Sequence, residues 1–181
     1  MTSSPKLFGL LAWTVFAFLF LSGAAWAQTT VPIGTVEATI DGVSYRGETL
    51  HVPSEDTATA EIRSFGPISM VSIQAHDPEA ESMMRGVLSV DIGPVSGSDA
   101  AGAEASVSYF PEGMRNFYVS DEDPAHASIT VETLAIEGEK GRARGAFSAF
   151  LCKRESAMSE LDSEDCITVE GTFDTVLHLA G

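Results

Sequence analysis

The sequence predicts an all-β domain, and three observations carry the prediction. From Val36 onward, short stretches alternate apolar and polar residues, the period of a half-buried strand. Gly, Pro, Asn and Asp interrupt these stretches about every ten residues, the spacing of a sandwich or barrel. No stretch keeps a helical period for three turns. The expected architecture is a two-sheet antiparallel sandwich of about ten short strands, with a small β-barrel as the alternative.

The chain opens with a segment expected to be removed before the domain folds. Residues 1–27 hold 18 apolar residues and one charged side chain, Lys6. An apolar run from Leu7 to Leu21 leads to Ala25-Trp26-Ala27, the small-residue pattern of a signal-peptidase site. The run is too short for the ~20 residues of a membrane span. Residue 28 is Gln rather than the Cys of a lipid anchor. Residues 1–27 are therefore expected to be a cleaved signal peptide and the mature protein to be periplasmic or secreted, with no membrane association. Residues 28–34 are expected to be a loose leader and residues 35–181 a single domain.

Within that domain, Val36, Ala38 and Ile40 alternate with Glu37 and Thr39. Asp41-Gly42 is a strong hairpin signal, since a type I′ turn needs positive φ at both central residues. Val43 and Tyr45 continue the return strand. Strands are expected at residues 57–64 and 68–75, broken at Phe65-Gly66-Pro67, with one short helical turn at residues 79–84. A strand at residues 86–92 precedes a Gly-, Ser- and Pro-rich loop at residues 93–102, expected to be mobile. Further strands follow at residues 103–110, 116–119, 127–135, 142–151 and 167–179.

The last two strands carry the most information. Ala143, Phe147, Ala149 and Leu151 share one parity, as do Ile167, Val169, Phe173 and Leu177, so odd positions face the core in both. The two cysteines, Cys152 and Cys166, share the opposite parity. In an exported chain they have one possible intramolecular bridge, and pairing them sets a register. Phe147 then lies opposite Gly171, Phe173 opposite Gly145, and Arg144 opposite Asp174. Each aromatic is expected to cover a glycine and the charges to pair.

Gly145-Ala146-Phe147 and Glu170-Gly171-Thr172-Phe173 also give this stretch a resemblance. It resembles the closing hairpin of small exported bacterial β-sandwich proteins of uncharacterised function, over roughly the last forty residues. The resemblance implies a fold and a location, and no activity.

Charge and motifs narrow the function. Ten Lys and Arg stand against 26 Asp and Glu, a net charge of −16, which argues against nucleic acid and anionic lipid as partners. The four histidines, His51, His76, His126 and His178, show no metal-binding spacing and read as strand-end or surface side chains. Asp121-Glu122-Asp123 heads an acidic string that runs to His126. Its hard oxygens are the candidate calcium ligands. No Gly-x-Ser-x-Gly elbow, His-Glu-x-x-His or phosphate-binding loop occurs. Two aromatic pairs, Tyr109-Phe110 and Phe117-Tyr118, flank a turn. One member of each should face outward, which makes Phe110 and Tyr118 candidate contacts for a sugar or a protein.

The sequence thus points to an exported, monomeric or weakly associating, disulfide-stapled module without catalysis or a required cofactor, binding a protein or glycan. The alternatives are a small metal-assisted hydrolase using the acidic loops and His126, or an inhibitor of another enzyme.

Overall fold

The computed structural model describes residues 29–96, 100, 102–120, 126–137 and 140–180. The expected signal peptide and Asp121, Glu122 and Asp123 lie outside the described residues. Among the described residues the chain forms eleven strands and no helix. These are β1 (Val31–Ile40), β2 (Val43–Val52), β3 (Thr57–Ala58), β4 (Ala60–Phe65), β5 (Ile68–His76) and β6 (Val87–Val95). Then follow β7 (Glu104–Phe110), β8 (Phe117–Val119), β9 (Ala127–Glu137), β10 (Lys140–Arg154) and β11 (Asp162–Ala180).

Local chemistry explains the joints. Asp41 and Gly42 have φ of 47° and 80°, the two positive values a type I′ turn requires, and Ile40 pairs with Val43. Strand β1 begins at Val31, so residues 31–34 of the expected leader are sheet, paired with His51 and Leu50 through Val31 and Pro32. Residues 79–84 form bends and turns instead of a helical turn. Asp77 accepts through its carbonyl from Ala80 N–H and through its side chain from Glu79 N–H, a local Asx arrangement that competes with helix. Gly93, Pro94 and Val95 extend β6 rather than opening the expected loop, because Val95 is buried in the core.

The strands are not all short: β10 has 15 residues and β11 has 19. Length lets each change partner along its course. Strand β10 pairs with β9 from Lys140 to Ala149 and with β8 from Cys152 to Arg154. Strand β11 pairs with β1 through residues 169–175, then with β4 through His178, Leu179 and Ala180. The latter pairing is parallel, a departure from the all-antiparallel expectation.

Through these exchanges the strands form one sheet rather than two. Pairings run β11-β4-β5-β6-β7-β8-β10 and return to β11, so the ladder closes on itself. A second link joins β2 to β5 at Glu48 and His76. Side chains from both arcs of this circuit, among them Val36, Ile62, Ile73, Leu88, Leu151, Phe173 and Leu177, meet in one apolar cluster. The odd residues of β10 and β11 supply its Phe147, Leu151, Val169, Phe173 and Leu177, as the alternation predicts.

The hairpin register is the one the cysteines set. Cys152 pairs with Cys166, Phe147 with Gly171, Gly145 with Phe173 and Arg144 with Asp174. Cys152 and Cys166 form a disulfide, with their Cα atoms 4.0 Å apart. Phe173 does cover Gly145: a Cβ there would lie 2.7 Å from Phe173 Cζ. Gly171 is small for another reason, since a Cβ would meet Glu37 O and Ala38 Cβ of β1. The ion pairs also differ from expectation. Asp174 Oδ1 lies 2.7 Å from Arg142 Nη2, and Arg144 instead reaches Glu132 at 3.1 Å.

Candidate functional site: a hydroxyl-lined sheet face

The face of β1, β9, β10 and β11 turned away from the core is built by parity. Its residues are the even members of β11 and β10 and the odd members of β1 beside them in register. Thr39 pairs with Glu170, Glu170 with Ser148, and Ser148 with Ser128, so one row of polar side chains crosses four strands. The next row runs Glu37, Thr172, Ala146 and Thr130. On the other side Thr168 pairs with Phe150, and Phe150 N–H donates to His126 O at 2.7 Å.

Small side chains let this face sink. A depression of about 550 Å³ lies over Glu37, Thr130, Ala146 and Thr172, and one of about 520 Å³ lies over Gly42, His126, Phe150 and Thr168. Thr39, Ser128, Ser148 and Glu170 line both, so the two form a single trough. Ser128 and Ser148 share a 2.9 Å hydrogen bond between hydroxyls. Glu37 is held at 4.0 Å by Arg46, while the Glu170 carboxylate has no ion-pair or hydrogen-bond partner among the described residues. Phe150 stands 43% exposed at one end, its ring 5.8 Å from that of His126 at 61°. Hydroxyl donors and acceptors, free carboxylate oxygens and an exposed ring therefore converge on one shallow surface.

The aromatic residues singled out in the sequence lie elsewhere and apart. Tyr118 pairs with Tyr109 across β7 and β8, and both pack against the core. They line a separate depression of about 700 Å³ with Tyr45 and Asp77. Burial raises the Tyr109 hydroxyl above its ordinary range, with the Asp77 charge adding to the effect. Phe110 belongs to the opposite face, half-buried and stacked on Phe117 at 5.2 Å. Phe110 and Tyr118 therefore do not form one platform. Tyr118 Oη donates to Asp165 Oδ1 at 3.2 Å, and Lys153 Nζ donates to Asp165 Oδ2 at 2.8 Å, beside the disulfide. The hydrogen bond from Lys153 lowers the Asp165 carboxyl below its ordinary range.

The histidines depart most from their sequence reading. His51 and His178 stack with ring centroids 4.4 Å apart and 27° between planes. Strand β2 passes His51 to β3 through the pair His51–Ala58, and β4 meets β11 through the pair Glu61–His178. The short β3–β4 segment thus brings together residues far apart in sequence. Burial, followed by the neighbouring His51, lowers His178 below the ordinary imidazole range. No spacing rule could reveal this contact, because it depends on the partner exchange at the end of β11. The trough was more accessible: Phe150 is the one large apolar residue on the polar parity of β10, and that exception marks the face. Comparison with protein-family models, curated proteins and solved structures finds no match for the chain.

Proposed function

We propose that the chain is an exported, monomeric, non-catalytic binding module that takes a neutral oligosaccharide along the trough. The observation that carries this reading is the row Thr39–Glu170–Ser148–Ser128, ending beside the exposed Phe150 ring. Sugars present hydroxyls that need both donors and acceptors, plus an apolar C–H face that stacks on an aromatic ring. Serine and threonine hydroxyls fill both roles, and a free carboxylate accepts strongly. Glu37 and Glu170 in the trough and a net charge of −16 disfavour anionic glycans.

The scaffold in this reading is a flattened, two-layered form of the closed ladder. The arc β9-β10-β11-β1-β2 makes the layer that bears the trough, and β4 to β8 make the layer behind it. The Cys152–Cys166 bridge supports an oxidising compartment, which agrees with export through the signal peptide at residues 1–27. Binding at the trough requires no cofactor.

The test is titration of the mature protein against neutral and anionic oligosaccharides, read by calorimetry and by amide chemical shifts. Saturable binding of a neutral glycan is expected, with shifts at Ser128, Ser148 and Glu170. Phe150→Ala and Glu170→Gln should each weaken it about tenfold or more, the loss of one stacking or charged hydrogen-bond contact. Binding that both substitutions leave unchanged, or no glycan binding across the panel, overturns the reading.

A further inference from the structure

The geometry points to a second site at the other end of β11, a divalent transition-metal site formed by His51, Asp56 and His178. One ligand atom from each of these residues lies within 4.8 Å of the other two. His51 Nε2 and Asp56 Oδ1 are 3.6 Å apart, and the two imidazoles are stacked face to face. His51 Nε2 is buried with no hydrogen-bond partner, which leaves a polar atom in need of one. A metal ion would satisfy it.

The donor set names the class of metal. Two imidazole nitrogens and one carboxylate oxygen suit zinc and its neighbours in the transition series rather than calcium or magnesium, which prefer all-oxygen shells. A tetrahedral ion bound at about 2.0–2.1 Å holds its ligands roughly 3.3 Å apart. The ligand atoms therefore need to close by about 1.5 Å at most from the spacing they already have. The backbone makes this movement local. His51 and His178 are fixed on paired strands, while Asp56 is 93% exposed on the turn between β2 and β3, with φ of 51°. Binding needs that turn to move inward and the two rings to tilt out of their stack, so that their in-plane nitrogen lone pairs converge on one ion. Three protein ligands leave a fourth tetrahedral position for water. Because they come from β2, its following turn and β11, the bound ion would tie two strands that are not ladder neighbours.

Zinc chloride added to chelator-treated, disulfide-intact mature protein tests the site, followed by calorimetry and by imidazole nitrogen NMR. One equivalent is expected to bind, shifting the His51 and His178 ring signals together and raising the melting temperature. Asp56→Asn, on an exposed turn, and His51→Gln should each weaken zinc binding about tenfold or more. If His51→Gln does not fold, the Asp56→Asn variant and the His178 ring signal decide alone. Zinc binding of equal affinity in Asp56→Asn, or binding that leaves both rings unshifted, overturns the site. These readouts are independent of the trough, so failure of glycan binding leaves this result intact.

Discussion

Gly145 shows how a single atom can decide the packing of a hairpin. Its missing side chain is where Phe173 lies: an added Cβ would sit 2.7 Å from Phe173 Cζ and press on Thr130 O. Phe173 is almost wholly buried, and the Thr130 contact is backbone, so neither neighbour can yield cheaply. Gly145→Ala should therefore destabilise the protein by about 1–3 kcal/mol, the usual cost of overpacking, measured as a shifted urea midpoint at unchanged slope. His76 offers a pH-dependent counterpart. Its Nδ1 is 2.9 Å from Met83 O, its Nε2 is buried without a partner, and burial lowers its pKa from the ordinary 6.5. The unfolded chain then takes up a proton that the folded chain refuses. Stability from this residue is fully present above pH 6.5, falls as the pH drops below that value, and levels off below the folded pKa. Denaturation midpoints of the parent protein should decline more steeply than those of His76→Gln over this window. Parallel profiles would remove His76 as the cause.

At the scale of the element, the β10–β11 hairpin was legible in the sequence because two independent signals agree. Alternation set which parity faces the core, and the cysteines set the register, since a one-residue slip would have put them on opposite faces. The ion pairs escaped the same logic. Arg142 stands opposite Val176 and reaches Asp174 on the diagonal, within the span of a long side chain across antiparallel strands. Arg144 is drawn to Glu132, the residue left over where the β9 register shifts between Arg144 and Gly145. A bulge of this kind has no signature in alternation. The bridge itself closes a loop with a separation of 14 residues, which the chain-entropy account values at about 3 kcal/mol. Reduction, or the Cys152→Ser and Cys166→Ser pair of changes, should lower stability by about that amount. Amide exchange should still show protection from Arg142 to Leu151, because the pairing of Phe147 with Gly171 does not depend on the sulfurs. Loss of that protection would mean that the bridge holds the register and not only the ends.

For the whole molecule, the strand class followed from residue pattern, but the way the strands join did not. Alternation reports which side of a strand is wet and says nothing of which strand lies beside it. The pairings that close the ladder, β4 with β11 and β2 with β5, involve only a few residues each, so they add no distinctive sequence pattern. The outward trough is legible only in part for a related reason: Ser128, Ser148, Glu170 and Thr39 come from four separate strands. Their alignment needs every intervening register to be known. The stacked histidines required the same knowledge, and the four-way scatter of His51, His76, His126 and His178 in the chain concealed one close pair.

The position of β11 in that closed ladder bears on when the molecule can become itself. As the last strand in the order, it is neighbour to β10, to β1 and to β4, and its Val169, Phe173 and Leu177 fill the core. A polypeptide threaded across a membrane with its amino end leading would present β1 and β4 long before their common partner arrived. Until residues 162–180 cleared the channel, the early strands would be missing a shared neighbour. Closure would then be a single late event demanding contacts between distant parts of the chain, the kind of topology that folds slowly. Such a polypeptide would remain open throughout passage and shut only on the far side.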